Sequence, residues 1–224
     1  MKALLYKEFK LAMHPICYIF VVLFPFMILI PSYPVAIGFI YLLSCYPILF
    51  LGANKGQQSN DLLYSTLLPV RKKDIVLARI ITLVIMHFAF IIIMSILLPI
   101  ANYVHSQIPD YESVGLSLDG FVSIVGIALI GLGIADLIYF PIYYKKGKSI
   151  VMSSLLSIFG FTIYLVVFTI VLPYISGFEW YTNFLCYSGL GYQFIVLGVA
   201  LLIYVALHYL IFKISSAQLE KVDF

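Results

Sequence analysis

Few residues of this chain combine the type and spacing that chemistry requires. Asp136 is the one carboxylate set inside a long apolar run. An ionisable group there is expensive, so it marks either a functional site or a deliberately satisfied contact. It could carry a proton, accept hydrogen bonds from a neighbouring helix, or pair with a basic side chain reaching inward. Of the histidines, His87 stands alone in an apolar run and His105 lies between runs. No two histidines have metal-ligand spacing, and no paired glutamates share a helix. Ser188 and His208 would suit a nucleophile and base, but about twenty residues of helix separate such a pair by roughly 30 Å. Cys17, Cys45 and Cys186 are too scattered for a disulfide framework or a metal site, and read as small apolar packers. Gly147-Lys148-Ser149 has the ending of a phosphate-binding loop, yet the required first glycine falls at Ile142. No catalytic, cofactor-binding or metal-binding set emerges, and a membrane enzyme is not expected.

The elements that must hold Asp136 follow from composition. Hydrophobic residues make up 63% of the 224 and charged residues 10%, with a mean hydropathy of +1.10. A soluble domain ordinarily carries about 25% charged residues, because its surface faces water. A water-soluble fold of this length could not hide so much apolar surface, so the solvent is lipid. No nucleic-acid partner is expected.

A helix crossing the hydrocarbon needs roughly 20 mostly apolar residues, sometimes about 17. Six runs qualify: Ile16 to Ile30, Pro34 to Gly52, Ile80 to Ile100, Gly120 to Tyr143, Ser149 to Leu172 and Gly191 to Phe212. Pro31, Ser32 and Tyr33 join the first two as a tight hairpin. A cleaved leader is not expected, because no small-residue cleavage pattern follows Lys2, Lys7 and Lys10, and apolar character resumes after Pro34. The fold class is therefore all-α, a single polytopic membrane domain of six transmembrane helices.

Basic residues concentrate on the cytoplasmic side of membranes. With six spans, all 13 Lys and Arg fall in the two tails and the even-numbered loops. The odd-numbered loops hold Asp110, Glu112, Asp119 and Glu179, with no Lys or Arg. Both termini are accordingly expected in the cytoplasm. Tyr33, Tyr103, Tyr174, Trp180 and Tyr181 form an expected outer aromatic belt, and Tyr143 and Tyr144 an inner one. Small residues four apart, Gly131 and Ala135, then Ser153 and Ser157 with Gly160 extending that face, predict close helix approach within the chain or to a second copy.

Two cytoplasmic segments look like surface elements. Met1 to Met13 predicts a helix lying on the membrane, with Leu5, Phe9 and Ala12 on its apolar face and Lys7 and Lys10 away from it. The loop from Ala53 to Arg79 predicts a short amphipathic helix capped by Asn60 or Asp61, presenting Leu63, Tyr64, Leu67 and Leu68 and stopped by Pro69. Arg71, Lys72 and Lys73 follow, and Asp74 suits the dipole at the start of the next helix. Such an exposed helix docks either a soluble partner or membrane lipid.

The stretch Ser65-Thr66-Leu67-Leu68-Pro69-Val70-Arg71-Lys72-Lys73-Asp74-Ile75-Val76-Leu77-Ala78-Arg79 resembles the loop between the second and third helices of ABC-2 type permeases. Tyr139-Phe140-Pro141-Ile142-Tyr143-Tyr144-Lys145-Lys146-Gly147-Lys148 is similar to a segment of the small permease subunits of phenol-soluble-modulin exporters of Gram-positive bacteria, as is the Lys-Val-Asp-Phe ending. The resemblance implies six helices behind an amphipathic N-terminal helix, and pairing with an identical or sister permease in the bacterial plasma membrane. It also implies a separate ABC ATPase that binds ATP and Mg and docks on the 60–79 loop. No cofactor is then expected in this chain. The implied function is export of an amphipathic or hydrophobic substrate, such as a peptide. The rival is an ion- or proton-coupled secondary transporter, for which a single intramembrane carboxylate, Asp136, is a sparse endowment.

Overall fold

A helix begins three residues after Pro69, with Asp74 in its first turn and its amide hydrogen-bonded to the Arg71 carbonyl at 2.9 Å. The computed structural model describes residues 2–12, 15–29, 65, 69–107, 121–146, 150–167 and 190–221, and this helix is α3 (Lys72–Ser106) among them. The others are α1 (Lys2–Lys7), continued as a π turn over Glu8–Ala12, α2 (Pro15–Leu23), α4 (Phe121–Lys146), α5 (Ile150–Val166) and α6 (Leu190–Glu220). A 3-10 turn, Phe24–Leu29, follows α2 where Pro25 removes an amide hydrogen from the helix ladder. The described residues contain no strand.

Among the described residues, three helices are long and apolar enough to cross a membrane: Lys72–Leu97, Val125–Lys145 and Gln193–Glu220. Cys17–Met27 and Met152–Tyr164 are shorter apolar helices. The expected second span, 34–52, lies outside the described residues. The helices also overrun the expected boundaries. α3 starts at Lys72 rather than Ile80, and α6 runs on past Phe212 to Glu220. At 1.5 Å per residue, the 35 residues of α3 extend about 50 Å, well beyond a hydrocarbon core of about 30 Å. The hydrophobic run measures what hydrocarbon can cover, whereas the backbone hydrogen-bond ladder runs on past it.

Pair contacts fix the directions. Arg79 meets Tyr143 and His87 meets Asp136, so α3 and α4 are antiparallel. The Ser157 hydroxyl donates to the Ala135 carbonyl at 2.9 Å and that of Tyr164 to the Ile127 carbonyl at 3.1 Å, so α4 and α5 are antiparallel too. Gly126 faces Leu197 and Ala200 while Gly133 faces Tyr204 and Leu207, which makes α4 and α6 parallel. Parallel neighbours require the chain to cross back between them, the role of α5.

α4 is the hub, with its most extensive contacts to α6 and α5. Small residues allow this approach on both flanks. A Cβ on Gly131 would stand 2.7 Å from the Phe161 ring and 2.9 Å from that of Tyr164, and one on Gly133 2.8 Å from Leu207. Gly160 of α5 likewise lets Ile138 in. Ser153 and Ser157 are fully buried. The small-residue stripes read in the sequence therefore pack helices within this chain. Apolar side chains such as Ile92, Ile96, Leu155, Phe159, Leu202 and Val205 point outward, as lipid-facing positions do. Helix hydroxyls in this setting bond backward within their own helix, Thr82 to the Ala78 carbonyl and Ser95 to that of Ile91.

Candidate functional site

Two buried polar clusters stand out against this apolar background. The first joins four segments at the basic end of the bundle. α1 packs Leu4 on Ile75 and Ala78 at the start of α3, which brings Glu8 beside Arg79. Arg79 Nε donates to Glu8 Oε2 at 3.1 Å and a terminal nitrogen to Oε1 at 3.4 Å, the two-pronged grip that suits guanidinium and carboxylate. Its other terminal nitrogen donates to the Tyr143 hydroxyl of α4 at 3.0 Å. Lys7 Nζ lies 3.5 Å from Glu8 Oε1 and donates to the hydroxyl of Ser65, seven residues before α3. Arg79 and Glu8 are only 1% and 2% exposed. A continuous polar path thus runs from Ser65 through Lys7, Glu8 and Arg79 to Tyr143.

This cluster corrects two expectations. Lys7 was expected on the water-facing side of the N-terminal helix, but it is buried, because Glu8 and Ser65 receive its amine. Tyr143 and Tyr144 were expected as an inner aromatic belt; both are buried, Tyr143 beneath the Arg79 guanidinium, whose carbon stands 5.8 Å from the ring centroid. Of the expected docking residues, Leu63, Tyr64, Leu67 and Leu68 lie outside the described residues. Pro69, Val70 and Arg71 are exposed, and Lys72 and Asp74 half-buried. Lys73 reaches Glu220 at 3.4 Å, which places the end of α6 beside the start of α3.

The second cluster lies deeper. Asp136 of α4 is fully buried, and its Oδ2 stands 3.0 Å from His208 Nε2 of α6 and 4.0 Å from His87 Nδ1 of α3. His87 Nδ1 is 2.9 Å from the hydroxyl of Tyr204, and His208 Nδ1 donates to the Tyr204 carbonyl at 2.9 Å. The His208 ring rests on that of Tyr204, with centroids 4.1 Å apart, and Phe88 closes the tyrosine edge-on. Three helices therefore meet through one carboxylate, two imidazoles and a phenol.

His87 is thus not the isolated residue its sequence surroundings suggest, and His208 has its partner in Asp136. The signal was depth. His87 follows Arg79 by eight residues, Asp136 precedes Lys145 by nine and His208 precedes Lys213 by five, so all three sit comparably far from the basic end. Glu8 and Arg79 likewise form the one acid in the basic N-terminal helix and the one guanidinium that enters an apolar helix. Among the described residues, no group of three His, Cys, Asp or Glu is placed to hold a metal ion.

No curated protein and no solved structure matches this chain. The profile of a family described as ABC-2 family transporter protein matches residues 3–216, which takes in both polar clusters and most of every described helix. The chain belongs to the ABC-2 transporter family, as a membrane permease component and not the ATPase.

Proposed function

We propose that the chain is the permease subunit of an ATP-driven exporter, moving an amphipathic or hydrophobic substrate, such as an amphipathic peptide, out of the cell. An ABC ATPase docks on the apolar face of the 60–68 segment, both termini lie in the cytoplasm, and an identical or sister permease completes the pathway. The observation that carries this reading is the buried path from Ser65 to Tyr143. It ties Ser65 to the N-terminal helix, α3 and α4 at once. A segment displaced by nucleotide-driven motion of a partner would pull on three elements together.

The test is purification from native membranes followed by Leu67→Asp. An ATPase should accompany the wild-type chain. A charge buried against the partner costs several kcal/mol when unpaired, so the variant should insert normally yet fail to stimulate that ATPase. Full stimulation by a properly inserted variant contradicts the docking role.

The Asp136–His208–His87 cluster favours a second reading, a proton-coupled secondary transporter. It supplies the additional titratable groups that a lone aspartate lacks. Transport driven by a proton gradient without ATP separates the two.

A further inference from the structure

Asp136 and His208 hold between them one proton that neither helix alone accounts for. A backbone carbonyl only accepts, so the contact of His208 Nδ1 with the Tyr204 carbonyl places a hydrogen on Nδ1. The neutral imidazole in that tautomer turns a lone pair toward Asp136 from Nε2. An ionised carboxylate offers only lone pairs in return, and the two atoms are 3.0 Å apart. Bare lone pairs at this distance repel, and Asp136 has no exposure to water that would relieve it. A hydrogen therefore lies in the gap, as imidazolium facing carboxylate or as imidazole facing carboxylic acid. The proton count is the same either way.

We propose that Asp136 and His208 form a one-proton binding site that pins α4 to α6, so that opening this seam to water releases the proton. The proton belongs to the closed seam, and its presence there does not depend on which energy source drives transport.

The surroundings favour the pair as holder. From α3, His87 is 4.0 Å from Asp136, beyond hydrogen-bond reach, and its Nδ1 is engaged by Tyr204. Arg79, two turns nearer the basic end of α3, is gripped by Glu8. α4 itself adds Tyr139 and Tyr143, and α6 adds Tyr204. α5 carries no charged residue, and its Tyr164 hydroxyl is committed to the Ile127 carbonyl.

The sign follows from proton counting. Separated and hydrated, Asp and His titrate near 3.9 and 6.5. Between those values the opened pair also holds one proton, so opening is proton-neutral. Above about 6.5 the opened pair holds none, and opening becomes up to tenfold more favourable for each pH unit.

The experiment follows thermal unfolding of the full chain in lipid nanodiscs from about pH 5.5 to about 8.5, which brackets the ordinary histidine value. Wild type should lose stability as pH rises through the upper half of that range. Asp136→Asn should abolish this slope, because its amide donates a permanent hydrogen to His208 Nε2. A flat wild-type profile, or an asparagine variant with the wild-type slope, overturns the proposal. Should the variant fail to fold, wild-type protein labelled with nitrogen-15 in histidine decides at alkaline pH. An imidazolium resonance, or a protonated-carboxyl band in the infrared, supports the site, and the lack of both overturns it.

Discussion

Arg79 and Glu8, 71 positions apart, close on each other through two hydrogen bonds in a setting where each is almost wholly buried. A buried ion pair is weak support for stability, because desolvation offsets most of the attraction. Its value here lies in connection, since it is the step where the N-terminal helix and α3 become one unit.

Breaking the pair on one side should therefore differ from replacing both sides. Glu8→Ala leaves a guanidinium buried without its carboxylate and should cost about 3–5 kcal/mol. Replacing both residues by methionine removes the charges together and should leave stability near that of wild type. The double variant should still bind and stimulate poorly any partner acting through Ser65, because the polar path is cut. Thermal unfolding in nanodiscs compares the stabilities, and partner-dependent ATP hydrolysis reads the connection. A double variant as unstable as Glu8→Ala would show that the pair is chiefly structural.

Two of the helix-contact glycines, Gly131 and Gly160, should respond unequally to a methyl group. Gly131→Ala drives a Cβ against the rings of Phe161 and Tyr164, which are wedged between α4 and α5. Overpacking of this kind costs typically about 1–3 kcal/mol. Gly160→Ala meets only the Cδ1 end of Ile138, which can rotate aside, and alanine returns about 1 kcal/mol of helix propensity. Unfolding in increasing denaturing detergent should show a clear loss for the first variant and almost none for the second. Equal losses would mean that α5 is anchored differently from the contacts described.

What the sequence makes legible, and what it does not, follows from range. The apolar runs of α3, α4 and α6 are properties of consecutive residues, and lipid enforces them regardless of neighbours. Gly131, Ser153, Ser157 and Gly160 are legible for the same reason, since a small residue invites close approach whatever the partner. The pairings are not local. His87 and His208 look isolated in sequence, and only the antiparallel run of α3 and the parallel run of α6 bring them to Asp136. Lys7 was misplaced by helical periodicity alone. An amphipathic pattern ranks faces by polarity, but Glu8 and Ser65 make the polar side a binding side.

Membrane orientation is tested by single cysteines in a background lacking Cys17, Cys45 and Cys186. The contacts place the basic ends of α3, α4 and α6 together, and basic residues favour the cytoplasm. Ser113→Cys should react with an impermeant maleimide on intact cells, and Lys146→Cys only after the membrane is opened. Labelling of position 146 from outside would invert the arrangement and contradict the proposed docking of an ATPase on the 60–68 segment.

The last prediction separates the ATP-driven exporter from the proton-coupled transporter, and Asp136→Asn decides it. The amide keeps the carboxylate's shape and can donate to His208 Nε2, so the contact between α4 and α6 survives without an exchangeable proton. An ATP-driven machine takes its energy from nucleotide binding on another chain. The variant, reconstituted with the partner ATPase, should therefore still transport when ATP is supplied, with a pH dependence changed by loss of the seam proton. A proton carrier behaves differently, because an amide neither takes up nor releases a proton in this range. The measurement is flux of a fluorescent amphipathic peptide in proteoliposomes, first with ATP alone and then with a proton gradient alone. Flux driven by the gradient without ATP in the wild type, and lost in the asparagine variant, would overturn the exporter reading. Flux that needs ATP in both proteins leaves Asp136 and His208 as the clasp of a seam, holding its proton while the energy arrives from the cytoplasmic face.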